Sequence, residues 1–280
     1  MDEFFIFNDS CFKTGTPVIA TDNRSFRYGD GVFETIKIIH GKIINKQFHF
    51  ERFFHGLAAL KFEIPKLFTA SFIEKKILEL IVKNDHGQCA RVRLTAFRAA
   101  GSIFDVTDNT PNYIIESWKL AADSFNKNGL MVEVFPDAKK ECTIFSNLKS
   151  NNYLLPVMAG LYAKESKLDE CIILNTRGNV CESIIGNIFM VKENEIFTPP
   201  LADGCVAGVM RRWMLEKFSL KKYSVIEKSF MADDLLKADE IFLTNAIYYL
   251  RRIKTFRGKN YGNTTAKEIY EQIITTLLPL

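Results

Sequence analysis

The run Cys89–Phe97, CARVRLTAF, alternates without a break. Ala90, Val92, Leu94 and Ala96 fall on one side; Arg91, Arg93 and Thr95 fall on the other. Only an extended strand sorts successive side chains to opposite faces, so this run predicts a strand with one dry and one wet face. Such a strand needs a sheet, and the sheet needs a cover over its dry side. Two segments ahead of it read as helices. In FHFERFFHGLAALKF, Phe50, Phe53, Phe54, Leu57 and Leu60 recur at helical spacing, and Pro65 closes the unit. Ser71-x-x-Glu74 reads as a capping box opening a second helix, with Ile73, Ile77, Leu80 and Ile81 on one face. FFIFNDSCF, turning at Asn8-Asp9, and GVFETIKIIHGKII, turning at His40-Gly41, read as hairpins.

The pattern restarts after a polar stretch without periodicity, KLAADSFNKNG. We take residues 119–129 as a linker between an N-terminal α/β domain, 1–118, and a C-terminal domain, 130–280. Beyond it come a strand at Leu130–Phe135 and a helix with Leu154, Val157, Met158 and Leu161 at helical spacing, Pro156 falling in its first turn. Hairpins follow, turning at Asn175–Gly178 and near Glu193-Asn194. A helix carries Val206, Val209, Met210, Trp213, Met214 and Phe218 on one face, and a last helix starts from a Thr265-x-x-Glu268 box. Strands and helices in this order predict an α/β (α+β) protein of two domains.

The formal net charge of +4 is spread along the chain, and Arg251-Arg252 is too short to act as a basic tract, so no nucleic-acid partner is expected. No apolar run reaches membrane-spanning length, and the N-terminus carries acids where a signal peptide needs bases. Six cysteines without a Cys-x-x-Cys pair predict reduced thiols in the cytoplasm. His40, His49, His55 and His86 show no metal spacing.

Lys149 is the residue hardest to place. In SNLKSNNYLL it stands among small polar residues just ahead of a helix. Ser146-x-x-Lys149 together with Lys13-Thr14-Gly15 imitates a serine acyl-enzyme, but the order is reversed and no Ser-Asp-Asn lies between them. Gly29-Asp30-Gly31 is no dinucleotide fingerprint, because Glu34 occupies the third glycine position. A different set suits one anionic, electron-withdrawing cofactor. Lys149 supplies an amine for a Schiff base. Glu182, ending an apolar strand, needs a cation such as a protonated pyridine nitrogen. Arg52, beside the apolar face of its helix, has the fork for a bidentate grip on phosphate. GCVAGVM, with Gly204 and Gly208, leads into a helix start that favours an anion. Each residue alone has a plainer reading: a surface lysine, a salt-bridged glutamate, a solvated arginine, turn glycines.

In FRYGDGVFETIK, HFER, LKSNNYL, LNTRGNVCESIIGNIF, GVMRR and ADEIFLTNA, taken in order, the chain resembles the class IV aminotransferase family of pyridoxal-phosphate enzymes, fold type IV. The resemblance spans nearly the whole chain. It implies a small N-terminal α/β domain, a larger C-terminal domain with a barrel-like mixed sheet, and a homodimer. It implies pyridoxal 5′-phosphate as cofactor, with Lys149 forming the Schiff base and moving the proton at the substrate carbon. Glu182 would hold the ring nitrogen. Arg52, the Gly208 loop with the Val209 and Met210 N–H groups, and Asn245 with Ala246 would hold the phosphate. Tyr153 would approach the ring hydroxyl. Tyr28, Phe33, Arg91, Arg93 and Arg98 would line the substrate side, the arginines reading carboxylate.

The family includes branched-chain and D-amino-acid transaminases and 4-amino-4-deoxychorismate lyase. A transaminase passes the amino group of an α-amino acid to a 2-oxo acid; the lyase releases pyruvate and leaves 4-aminobenzoate. Many transaminases carry threonine where Met210 and Ala246 stand here, and Thr244-Asn245-Ala246 resembles lyases. The expectation is a branched-chain-like aminotransferase, with the lyase as alternative. A non-catalytic binding relative is more distant, since Lys149 and Glu182 are both present.

Overall fold

The structure is a computed structural model and describes residues 4–104, 108–121, 125–218 and 222–278. Residues 122–124 of the expected linker lie outside them. The chain forms two compact units, Met1–Ala122 with Leu148–Tyr153, and Asp123–Asn147 with Leu154–Leu280.

The first unit contains β1 (Phe4–Phe7), β2 (Ser10–Lys13), α1 (Arg24–Tyr28), β3 (Gly31–Ile39), β4 (Lys42–Ile43), α2 (Lys46–Ala59), α3 (Ala70–Lys83), β5 (Cys89–Phe97) and β6 (Asn112–Lys119). Among the described residues its strands form one antiparallel sheet in the order β2-β1-β6-β5-β3-β4. The alternation of β5 appears as read: Ala90, Val92, Leu94 and Ala96 are fully buried. They pack with Ile36 and Ile38 of β3 against Phe53 and Leu57 of α2 and Ile73, Ile77 and Leu80 of α3. A Cβ on Gly56 would stand 3.1 Å from Val32 Cγ1, so α2 and β3 approach as closely as they do because that residue has no side chain. The cap of α3 differs from the expected box. Thr69, not Ser71, is the N-cap, its Oγ1 accepting from Phe72 N at 3.2 Å, while Glu74 reaches Lys46 Nζ at 3.0 Å.

The second unit holds β7 (Leu130–Val134), α4 (Leu154–Glu165), β8 (Glu170–Leu174), β9 (Val180–Ser183), β10 (Asn187–Lys192), β11 (Glu195–Thr198), α5 (Val209–Glu216), β12 (Ser224–Glu227), α6 (Ala232–Leu235), β13 (Glu240–Asn245), β14 (Tyr249–Phe256), β15 (Lys259–Asn260) and α7 (Thr264–Leu277). Its described strands run β12-β11-β10-β13-β14-β7-β8-β9, with β15 on β14. The pairs β11/β12, β14/β7 and β7/β8 are parallel, so the sheet is mixed. It must curl. β10 and β9 lie five strands apart, about 24 Å across a flat sheet, yet only residues 184–186 join them, a span of at most about 14 Å. The resulting half-barrel encloses Val132, Ile172, Val180, Ile188, Ile241 and Ile253.

Two of its helices depart from the expectations. α5 spans only Val209–Glu216, so Val206 and Phe218 lie outside it. α7 begins at Thr264, and its first turn is capped from a distance: Thr265 N and Ala266 N each donate to Glu240 at 2.9 Å. α4 packs through Ala159 and Ala163 onto Cys171 and Ile173 of β8. Its larger apolar residues Leu154, Val157, Met158 and Leu161 are 74%, 52%, 46% and 50% exposed. Among the described residues no helix is long and apolar enough to cross a membrane.

Candidate active site

In the first unit, Leu148–Tyr153 lies along the free edge of β3. Phe33 N donates to Lys149 O and Asn151 N to Gly31 O, both at 2.9 Å, with Val32 bridged to Ser150. Two glycines make this approach possible. A Cβ on Gly31 would stand 2.5 Å from Asn151 Nδ2 and 2.4 Å from Ala96 O; one on Gly29, which has φ +67°, would stand 2.5 Å from Asn152 Oδ1. The Gly-Asp-Gly run therefore admits the lysine segment. With that backbone held, Lys149 Nζ is 4.4 Å from the Phe33 ring centroid and 5.7 Å from that of Tyr153, and the two rings meet edge to face at 5.4 Å.

Arg52 uses its fork on a residue that sequence reasoning passed over. Its Nε donates to Glu34 Oε1 at 2.7 Å and its Nη2 to Oε2 at 2.6 Å, so the bidentate edge foreseen for phosphate is taken by a carboxylate. His49 Nδ1 is 2.7 Å from the same Oε2. Burial alone would push the Glu34 carboxyl up; the charge of Arg52 and the hydrogen bond and charge of His49 reverse this and hold it at about 2. Burial lowers the pKa of His49, Glu34 opposes the shift, and the charges of Arg52 and Lys149 reinforce it. Near neutral pH the imidazole is thus uncharged and donates from Nδ1 to an ionised carboxylate, which can only accept. Arg52 is then the cation of the group.

The substrate-side arginines separate. Arg93 Cζ stands 3.9 Å from the Phe33 centroid that also carries Lys149. Its Nε donates to Thr95 Oγ1 at 3.2 Å, and burial lowers its pKa. Arg91 is exposed and stacks on Trp118 at 4.3 Å. Arg98 is buried, donating to Asn109 at 2.9 Å, Asp30 at 2.7 Å and Leu60 O at 2.6 Å; it braces a loop. Tyr28 ends α1, 39% exposed, with Arg24 5.7 Å from its ring.

The second unit gathers the other set. Glu182 in β9 is buried; its Oε1 pairs with Lys140 Nζ at 2.5 Å and its Oε2 accepts from Val206 N at 2.8 Å. Ala207 N donates to the carbonyl of Asn147, two residues before Lys149 in the chain, at 3.0 Å. Gly208 then caps α5, contributing no side-chain cap hydrogen bond to the turn that opens with Val209 and Met210. A Cβ on Gly208 would stand 1.8 Å from Asn187 Oδ1. Asn187 Nδ2 donates to Val206 O at 2.9 Å, and Asn187 pairs with Thr244 across β10 and β13. Asn245 Oδ1 accepts from Ile247 N and Tyr248 N at 3.0 and 2.9 Å, shaping the turn that contains Ala246. Glu182, the Gly208 loop and Asn245-Ala246 therefore lie at one end of the curled sheet. Met210 is fully buried.

Lys140 and Glu170 had no distinguishing signal in sequence. Glu170, buried at the start of β8, accepts from Ile184 N at 2.9 Å, in the connection that follows β9. Burial pushes its carboxyl up to about 7, with backbone N–H groups of Cys171 and Ile184 and the charge of Arg251 pulling back.

The model of the amino-transferase class IV family matches residues 31–256, and the chain belongs to that family. It is similar to the aminodeoxychorismate lyase of Vibrio harveyi, 29% identical over 229 residues, covering 80% of this chain and 82% of that protein. It is also similar to a putative branched-chain-amino-acid aminotransferase of Methanocaldococcus jannaschii, 27% identical over 258 residues, covering 88% and 85%. The fold matches that of the branched-chain aminotransferase of Thermoproteus uzoniensis with norvaline, TM-score 0.90 at 22% identity over 99% of this chain and 95% of that one. It also matches the PLP-bound form of a hypothetical aminotransferase from Mycobacterium tuberculosis, TM-score 0.84 at 16% identity over 98% and 99%.

Proposed function

We propose that this chain is a pyridoxal 5′-phosphate-dependent aminotransferase that moves the amino group of an α-amino acid to a 2-oxo acid. The observation that carries the reading is Lys149, its backbone pinned to β3 and its amine set over Phe33. The other residues suit the same cofactor: a buried carboxylate at Glu182, a helix start at Gly208 where even a methyl group would collide, and a buried Thr244 Oγ1 with no hydrogen-bond partner among the described residues.

When bound, the cofactor supplies an aldehyde for amines to add to and a protonated ring that withdraws electrons. Lys149 Nζ would hold that aldehyde and would move the proton at the substrate's α-carbon. Glu182 keeps the ring nitrogen protonated. Lys140 and the Val206 N–H hold the Glu182 carboxylate in a fixed orientation. Arg52 and Tyr153 of the first unit would serve the phosphate and the ring hydroxyl, and the Val209 and Met210 N–H groups with Asn245 and Ala246 of the second would serve the phosphate. Phe33, Tyr28, Arg91 and Arg93 form the substrate side, with Arg93 reading carboxylate. Arg98, whose donors are engaged by Asp30, Asn109 and Leu60, is left out of that role.

One observation favours a second reading. Met210 is fully buried and Ala246 follows Asn245 in the turn, so neither position offers a hydroxyl. That pattern supports a lyase that releases pyruvate from aminodeoxychorismate. The exposed apolar stripe of α4 supports a homodimer, and six cysteines free of disulfides support a reducing cytoplasm.

The test begins with borohydride reduction of the protein with pyridoxal phosphate, which should fix the cofactor on the Lys149 peptide. Lys149→Ala should be colourless and inactive; full turnover by this variant would end the proposal. Pyruvate release from aminodeoxychorismate without amino transfer to any 2-oxo acid would decide for the lyase.

A further inference from the structure

On β3, the face packed against α2 presents Val32, Glu34, Ile36 and Ile38 in turn. Three are apolar core; the fourth is an acid 1% exposed. Opposite it, His49 and Arg52 share one side of α2 at i and i+3, beside the core residues Phe50 and Phe53. Stability alone does not call for this group, because apolar replacement of a buried ion pair is often neutral or stabilising. What the group provides is fixed geometry. Two N–H···O bonds set the plane of the Arg52 guanidinium, and the shared Oε2 sets the tautomer and ring orientation of His49. The adjacent residue of the same strand, Phe33, bonds Lys149 O through its backbone and carries the Lys149 amine on its ring. One short stretch of strand thus registers the amine with the guanidinium.

We propose that Glu34 is a positioning residue for cofactor binding: it orients Arg52 toward the cofactor's phosphate and fixes the His49 ring beside it, in fixed register with Lys149. The inference rests on the aminotransferase-type reading above. A planar cation already locked in place loses less freedom on binding than a mobile one. His49 provides a hydrogen-bonding ring at this point without adding a second buried charge.

The test uses the full-length protein with pyridoxal phosphate and, separately, with inorganic phosphate as probe. Glu34→Gln removes the charge; Glu34→Asp keeps it and withdraws it by one methylene. In both, well below the melting temperature, the dissociation constant for pyridoxal phosphate should rise about tenfold or more, as when partners behind ligating groups are removed. Inorganic phosphate should compete correspondingly less well, and the phosphorus resonance of the bound cofactor should move. A purely architectural Glu34 would lower the melting temperature and leave affinity and resonance as in the wild type. If Glu34→Gln does not fold, Glu34→Asp decides alone. Wild-type affinity and an unmoved resonance in the folded variant overturn the inference. A wild-type protein that binds no pyridoxal phosphate overturns the functional reading instead, so the two failures are distinct.

Discussion

Replacing Glu170 by glutamine should make the protein more stable in mild alkali, and the size of the gain follows from its surroundings. The carboxyl is 3% exposed and pushed from 4.5 to about 7 by burial. Between those values the folded chain holds a proton that the unfolded chain has released, so stability falls as pH rises through this window. That difference corresponds to roughly 3 kcal/mol, absent below about pH 4.5 and fully felt above about pH 7. The amide of Glu170→Gln stays neutral, and its oxygen can still accept from Ile184 N, as Oε1 does at 2.9 Å. At a chain length of 280 residues, roughly 2 °C per kcal/mol implies a melting temperature higher by about 6 °C at about pH 8, shrinking to nothing near about pH 4.5. Melting curves of both proteins across that range measure it. Parallel curves, or a variant less stable at every pH, would refute the reasoning. Glu34 has the opposite sign: its carboxyl is held at about 2, so its contribution is complete above about pH 4.5 and is lost as pH falls toward about 2.

Gly208→Ala should displace Asn187 and break its hydrogen bond to Val206 O, costing about 1–3 kcal/mol and weakening pyridoxal phosphate binding. Melting and cofactor titration read both effects, and wild-type values in each would show that the loop yields freely. For the proposed homodimer, Leu161→Asp on the exposed stripe of α4 should lower the mass seen in light scattering from dimer to monomer without unfolding the chain; an unchanged mass, or a monomeric wild type, would remove the stripe as a subunit contact.

The fold was legible wherever burial has a period. β5 alternates because one face of its sheet is covered, and α2 and α3 show the spacing of the helices that cover it. The caps were less legible because a box motif needs only two residues at the right interval. Ser71 and Glu74 satisfy it two positions past the true N-cap, Thr69, and Thr265-x-x-Glu268 cannot reveal that Glu240 caps α7 from a strand. Periodicity in α4 identified an apolar face but not what covers it; two alanines pack on β8 and the larger residues face outward. Within the candidate site, Lys149 and Glu182 stood out by their unusual settings. Glu34 did not, since an acid in a strand reads as solvated. Its partners His49 and Arg52, 15 and 18 residues onward, meet it only through helix–strand packing, and that packing gives Arg52 a carboxylate partner that no spacing in the sequence announces.

The short edge formed by Gly31–Phe33 has a consequence for how the polypeptide can be cut. A fragment ending at Ala122 would leave Phe33 N–H and the Gly31 carbonyl without the main chain that answers them, an open template for another molecule's backbone. On the ribosome the same edge waits until residues 149–151 emerge. The opening half of the protein is therefore finished by a stretch translated well after it, and any dissection into separately expressed pieces has to carry that stretch across.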